Sequence, residues 1–188
     1  MSRWAKVRWS QGGEHVVPQV RRPSSCGSYS QNTLARGGSG YGATVRIERV
    51  VDQAAIEAGA ELFDEPPDAS ATQQFLSTAG HHLLFAYDDD ADDGAAAVIG
   101  MVSGVETTHP DKGTEMFLYE LGVAPFARKR GIATELVLAL AALAKHRGCY
   151  GMWVAVDVDN AAALATYRRA GAQDEAACVV QSWNFAES

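Results

Sequence analysis

A strand, a short basic turn and a long amphipathic helix follow one another in the middle of the chain. Residues 115–123 favour a strand, residues 128–130 are three consecutive cations, and residues 131–147 favour a helix. One face of this helix carries apolar side chains at spacings of four, four and three: Ile132, Leu136, Leu140 and Leu143. Together with the strands and helices around it, this unit predicts an α/β or α+β fold of packed layers.

The elements on either side extend the same pattern. Before the unit, the sequence predicts a strand near residues 45–50, a helix over 54–63 capped by Asp52, a helix from Asp68 to Leu76, and a hairpin with strands 82–87 and 96–105. After it come a strand over 150–156, a helix over 161–170 and a tail that supplies one or two strands. We therefore expect one folded domain over residues 44–188.

Residues 1–43 differ from the rest of the chain. They are rich in Gly, Ser, Arg and Gln, show no sustained period, and hold six basic residues against one acid. This composition predicts a disordered basic extension, and the alternative is a basic arm for an acidic partner or for the acidic body of the chain. Residues 44–188 hold ten basic and twenty-two acidic residues, a net charge of −12. Such a body disfavours nucleic acid and favours a small cationic ligand.

Several other classes of protein are disfavoured. No apolar run approaches the roughly 18 residues of a membrane span, and the N-terminus lacks a signal-peptide core, so we expect no membrane partner and a cytoplasmic location. The three cysteines and the histidines lack metal-ligand spacing, and the acidic run 88–94 lacks the glycine and glutamate of a calcium loop. We therefore expect no metal.

The basic turn is a candidate anion site. The first turn of a helix has unpaired N–H groups and a positive dipole end, and Gly131 lets a phosphate approach the backbone. The alternative is a solvated basic loop. Neither the Gly-Lys-Ser/Thr of a Walker loop nor Gly-x-Gly-x-x-Gly is present, which argues against ATP and NAD.

A second pattern starts thirty residues further on. Asn160 stands at the start of a helix, and Ala163, Tyr167 and Gly171 follow at i+3, i+7 and i+11. A tyrosine hydroxyl at this place can protonate a leaving group. The alternative is a core tyrosine with a satisfied hydroxyl.

The two patterns, in this order and spacing, resemble the GNAT superfamily of acetyl-CoA-dependent N-acetyltransferases. Arg128-x-x-Gly131-x-Ala133 is similar to the pyrophosphate-binding signature of that family. The resemblance implies a mixed, V-shaped sheet of six to seven strands flanked by about four helices. It also implies acetyl-CoA as co-substrate, wedged where two parallel strands, 116–123 and 150–156, splay apart.

A narrower resemblance is to the aminoglycoside 3-N-acetyltransferase branch. Residues 115–123 (EMFLYELGV), then six residues, then 130–134 (RGIAT) are similar to its Tyr-Asp-Leu-Ala-Val strand and Gly-Ile-Ala-Thr turn. Glu120 replaces the aspartate and Gly122 the alanine. The loops on the acceptor side match less well.

The resemblance implies a role for each site residue. Glu120 would accept the proton of the amine and Tyr167 would protonate the departing thiolate, by direct attack in a ternary complex. Coenzyme A would be held by backbone groups of Leu121 and Val123, by Asn160, and by the turn residues Arg128, Lys129, Arg130, Gly131, Ile132, Ala133 and Thr134.

The acceptor is expected to be a small polycationic amine, with an aminoglycoside favoured. Candidate side chains that bind it are Tyr119, Glu106, Asp111 and Asp157. A polyamine, amino acid or peptide amine, and a non-catalytic acetyl-CoA-binding module, are the alternatives. A homodimer is left open.

Overall fold

The computed structural model describes residues 33–38, 44–89, 96–175, 180–183 and 185. Within them, six strands form one sheet in chain order: β1 Thr33–Gly38, β2 Thr44–Arg49, β3 His81–Asp88, β4 Ala97–His109, β5 Gly113–Val123 and β6 Met152–Trp153. The α-helices are α1 Gln53–Ala58, α2 Ala69–Ser77, α3 Ile132–His146 and α4 Ala161–Arg169. Short 3₁₀ helices cover Ala60–Leu62 and Pro125–Ala127.

The sheet is mixed, as predicted. Strands β1 to β5 pair with their neighbours in antiparallel fashion, whereas β5 and β6 pair in parallel. Helix α3 lies between β5 and β6 in the chain and connects them. The six described strands and four α-helices confirm the expected fold class. None of the helices among the described residues combines the length and the apolar composition of a membrane-spanning segment.

Two apolar layers hold the sheet between helices. Helix α3 covers one face, where Ile132, Leu136 and Leu140 are buried against the strands. The other face carries a smaller core built on Phe85 and Met101, which packs against α1, α2 and the first 3₁₀ helix. At Gly104 on β4, an added Cβ would lie 2.8 Å from Met116 Sδ and 3.0 Å from Leu140 Cδ1. The absence of a side chain there lets α3 approach β4 closely.

The predicted helix starts are confirmed by their capping bonds. Asp52 accepts a hydrogen bond from Ala55 N–H at 2.9 Å, and Asp68 accepts one from Ala71 N–H at 2.8 Å. The helix expected over 54–63 is shorter, because α1 ends at Gly59 and a 3₁₀ helix follows. The ring of Phe85 packs against Gly59, where a Cβ would lie only 2.5 Å from the ring.

Three further features differ from the sequence prediction. Strand β1 lies inside the segment 1–43 that was predicted to be disordered, and it pairs with β2; residues 1–32 and 39–43 lie outside the described residues. The strand expected over 150–156 is limited to Met152–Trp153. The predicted tail strands are not seen in the described residues of the tail, 172–175, 180–183 and 185. Residues 176–179 lie outside the described part. Most of the predicted hairpin turn, residues 90–95, lies outside it too.

Candidate functional site

A cleft opens where β5 and β6 stop pairing. Their register contains only the pairs Met116↔Met152 and Phe117↔Trp153. Beyond these pairs, the segments that continue β5 and β6 line opposite sides of a cleft of about 1700 Å³. The cleft also borders the starts of α3 and α4. A cleft of this volume is large enough for an extended ligand.

A β-bulge sets the direction of the backbone groups along one wall. Ser103 pairs with Glu120 but Gly104 pairs with Leu118, so Tyr119 is the extra residue. Ala124 N–H donates to the Ile99 carbonyl at 3.0 Å, which fixes the alternation of the antiparallel ladder. By that alternation, the backbone N–H groups of Glu120 and Gly122 donate hydrogen bonds to β4. The N–H groups of Leu121 and Val123 point away from β4, toward the cleft.

The N-terminus of α3 forms the far end of the cleft. Gly131, the N-cap residue, has φ 84°, and Lys129 before it has φ 63°. No side chain caps this helix, so the N–H groups of its first turn remain available to a ligand. Lys129 and Arg128 line the cleft here, and Arg128 Nε donates to the Val123 carbonyl at 3.1 Å. Cations, open N–H groups and the positive end of the helix dipole together favour an anion.

Helix α4 places two of the predicted residues on the opposite wall. Asn160 Oδ1 accepts a hydrogen bond from Ala163 N–H at 3.1 Å, which caps the helix and leaves the Asn160 amide N–H₂ able to donate. Tyr167 lies two turns further along and packs partly against the core. Burial raises the pKa of Tyr167, so the phenol keeps its proton at neutral pH.

Glu120 stands at the edge of the cleft rather than in its lining. Its neighbours Tyr119 and Leu121 line the cleft, while the Glu120 carboxylate is half-buried on the sheet face that carries α1 and α2. Burial, and next the negative charge of Asp64, raise the pKa of the Glu120 carboxyl. Asp64 was not singled out in the sequence, because no local pattern shows that residues after the first 3₁₀ helix approach β5.

The structure brings nearly all the predicted cofactor residues together. Those that line the cleft are Leu121, Val123, Arg128, Lys129, Gly131, Ile132, Ala133, Thr134 and Asn160. Arg130 is different, because its Nη1 pairs with Asp88 Oδ2 at 2.8 Å and its side chain does not line the cleft.

Of the four residues predicted to bind the substrate, two line the cleft and two lie away from it. Tyr119 and Asp157 line the cleft. Asp111 lies on the β4–β5 hairpin, exposed and paired with His109. The structure therefore does not bring Asp111 to the cleft.

Glu106 is also away from the cleft, in a partly buried ionic cluster. Its carboxylate lies 2.7 Å from Nε2 of the fully buried His82 and accepts a bond from Arg147 Nε at 2.6 Å. The Arg147 guanidinium, and next His82, outweigh burial and lower the pKa of Glu106. Burial lowers the pKa of His82 below its ordinary 6.5, although Glu106 opposes this.

This cluster makes stability depend on pH. Because the pKa of His82 is lower in the folded chain, the unfolded chain gains the His82 proton first as the pH falls below about 6.5. At lower pH the Glu106 carboxylate also resists protonation in the folded state. Both effects remove stability as the pH falls. We expect the melting temperature to drop between pH 7 and pH 5, and His82→Gln to flatten this slope. His146→Gln, which changes an exposed histidine on α3, is the control; equal slopes in both variants would contradict the assignment.

Solved structures with the same fold include several aminoglycoside acetyltransferases. One, from an uncultured soil metagenomic sample and in complex with sisomicin, is 18% identical with a TM-score of 0.65, covering 75% of this chain and 96% of that one. The 6'-N-acetyltransferase AAC(6')-Ih from Acinetobacter baumannii is 21% identical with a TM-score of 0.59, covering 76% and 99%. AAC(6')-Iy with a CoA-S-monomethyl-acetylneamine bisubstrate analogue is 18% identical with a TM-score of 0.62, covering 74% and 98%.

No curated protein sequence matches the chain. The model of the acetyltransferase (GNAT) family does match, over residues 48–172. That range contains every wall of the cleft except the tail residues Ser182 and Trp183. The chain belongs to the acetyltransferase (GNAT) family.

Proposed function

We propose that the chain transfers the acetyl group of acetyl-CoA to an amine of an aminoglycoside, at the 3-N position, by direct attack in a ternary complex. The observation that carries the proposal is one cleft that joins an uncapped helix N-terminus, two N–H groups on a bulged strand and a protonated tyrosine. The groups stand at different walls of the cleft and can therefore act together on ligands held between them.

The residues present fit coenzyme A. The open first turn of α3, with Lys129 and Arg128 beside it, would hold the pyrophosphate in an otherwise acidic body. The Asn160 amide and the Leu121 N–H would hold the pantetheine arm along the cleft. GNAT enzymes use acetyl-CoA, which supplies the acyl group as a thioester already activated for attack by an amine.

Each protein group then has one task. The Val123 N–H points into the cleft and would donate a hydrogen bond to the carbonyl oxygen as negative charge develops there. Glu120 would accept the proton of the substrate ammonium, and its raised pKa makes the carboxylate a stronger base. Tyr167 Oη would donate its proton to the departing thiolate.

Charge and structural neighbours support an aminoglycoside. Residues 44–188 carry a net charge of −12, and Asp157 lines the cleft while Asp64 lies near Glu120, which suits a substrate with several ammonium groups. Similar solved structures include aminoglycoside acetyltransferases, one of them bound to sisomicin. Where the name of such a neighbour states which amine is acetylated, it is the 6'-amine. The strand and turn at residues 115–134 instead resemble the 3-N branch.

Removing the hydroxyl of Tyr167 should slow the reaction without releasing the cofactor. Tyr167→Phe keeps the ring that packs against the core but lacks the proton, so we expect CoA-thiol release to fall by about 10- to 100-fold. The affinity for coenzyme A, measured by isothermal titration, should change little. Unchanged turnover would remove Tyr167 from the mechanism.

A screen of CoA-thiol release tests the proposed substrate. Aminoglycosides, polyamines, amino acids and peptides are offered with acetyl-CoA at low and at raised salt. We expect aminoglycosides to react fastest, with a KM that rises with salt because screening weakens the attraction between separated charges. If peptides react and every aminoglycoside is inert, the substrate is wrong. If coenzyme A binds and no amine reacts, the chain is a binding module.

A further inference from the structure

Ser103 on β4 carries a buried hydroxyl with no partner. The residue is only 7% exposed, and no described residue lies within hydrogen-bond distance of its Oγ. Buried hydroxyl groups in folded proteins are nearly always hydrogen-bonded, to protein or to an ordered water. Ser103 therefore needs a hydrogen-bond partner that the described residues do not supply.

The strand register places this hydroxyl beside Glu120. Ser103 and Glu120 are directly opposite in the β4–β5 ladder, next to the bulge at Tyr119. The Ala124 N–H bond to Ile99 makes them a hydrogen-bonded pair, in which Cα atoms are about 5.5 Å apart. Side chains of opposite residues share one face of a sheet, so the hydroxyl and the carboxylate lie on the same side.

Nor does the Glu120 carboxylate have a hydrogen-bond donor among the described residues. The negative charge of Asp64 nearby disfavours its ionised form. A short serine hydroxyl and a carboxylate on facing residues can be bridged by one water molecule, which offers both groups a hydrogen bond.

We propose that Ser103 is a positioning residue for Glu120. Its hydroxyl donates a hydrogen bond to a water molecule, and that water donates to the Glu120 carboxylate, which holds the carboxylate at the edge of the cleft. Ser103 keeps its proton throughout and touches neither substrate. The inference rests on the proposed function in giving Glu120 the role of proton acceptor.

Substitutions of Ser103 separate positioning from packing. Ser103→Ala should lower kcat by about 10-fold with the KM for the amine within about two-fold, because the base is misplaced and the binding residues are untouched. Ser103→Thr keeps the hydroxyl and should restore most of the turnover. Melting temperatures of both variants close to that of the wild type would show that the fold is retained. Wild-type kcat in Ser103→Ala would overturn the inference.

A double-mutant cycle tests whether Ser103 acts through Glu120. In a Glu120→Gln background, Ser103→Ala should change kcat by less than about two-fold, because the group it positions is already lost. An equal fall in both backgrounds would indicate a structural effect alone and overturn the inference.

A high-resolution crystal structure of the wild-type chain tests the bridge itself. We expect one ordered water within hydrogen-bond distance of both Ser103 Oγ and the Glu120 carboxylate, and no such water in Ser103→Ala. This result does not depend on acetyl transfer. An active enzyme without the bridge would overturn this inference alone, whereas a bridged protein that acetylates no amine would overturn the proposed function.

Discussion

Replacing Gly131 by glutamate is expected to abolish the binding of coenzyme A. Gly131 is the N-cap residue of α3, and a Cβ at this position would meet no atom within 4 Å, so the new side chain would extend into the cleft. It would bring a carboxylate against the open N–H groups that would hold the pyrophosphate. Isothermal titration with coenzyme A should then show no measurable binding.

Gly148 offers a matched control for this substitution. It follows the other end of α3 with φ 82°, close to the 84° of Gly131, and an added Cβ there also meets nothing within 4 Å. Gly148→Glu therefore introduces the same charge and similar backbone strain outside the cleft, and should bind coenzyme A like the wild type. Loss of binding in both variants, or equal wild-type affinity for coenzyme A and dephosphorylated pantetheine, would contradict a phosphate site at α3.

Removing the charge of Glu120 is expected to lower turnover by about 10²-fold or more. Glu120→Gln preserves the shape of a side chain that is half-buried beside the cleft but cannot accept a proton. The loss should appear in kcat for CoA-thiol release, with the affinity for coenzyme A unchanged.

Glu115 provides the control on the same strand. Its carboxylate accepts a hydrogen bond from the Tyr150 hydroxyl at 2.8 Å and does not line the cleft. Glu115→Gln should therefore retain turnover near that of the wild type. A Glu120→Gln variant as active as Glu115→Gln would assign the proton acceptor to another group.

Features that depend on neighbouring residues could be predicted from the sequence. The caps at Asp52 and Asp68 and the apolar face of α3 arise from side chains within one or two turns of one another. The start of α3 is also local, since Gly131 and the first helical residue adjoin in the chain. The element boundaries at this end of the cleft could therefore be predicted from the sequence.

Features that depend on pairing between distant segments could not be predicted. Glu106 was expected to bind substrate, but the register of β3 and β4 and the length of α3 place it between His82 and Arg147. Strand β6 is short because the chain diverges from β5 after Trp153 to form the cleft. Residues 33–38 belong to a segment whose composition predicts disorder, and the pairing with β2 that makes them a strand joins them to residues outside that segment.

The contacts of individual side chains near the site could not be predicted from the sequence either. Arg130 stands in the basic turn next to two cleft residues, yet its guanidinium pairs with Asp88 at the end of β3. Ser103 has no local signal at all, because only the bulged register of β4 and β5 places it opposite Glu120. Such roles follow from cross-strand geometry that a single sequence does not display.

The proposed reaction is acetyl transfer to one defined amine of an aminoglycoside. The most direct test is to incubate the wild-type chain with acetyl-CoA and a gentamicin-type aminoglycoside and to locate the new amide in the purified product by NMR. We expect a single acetyl group on the 3-amino nitrogen. A product acetylated only at the 6'-amino nitrogen would contradict the 3-N assignment, and the absence of any acetylated product would contradict acetyl transfer to aminoglycosides.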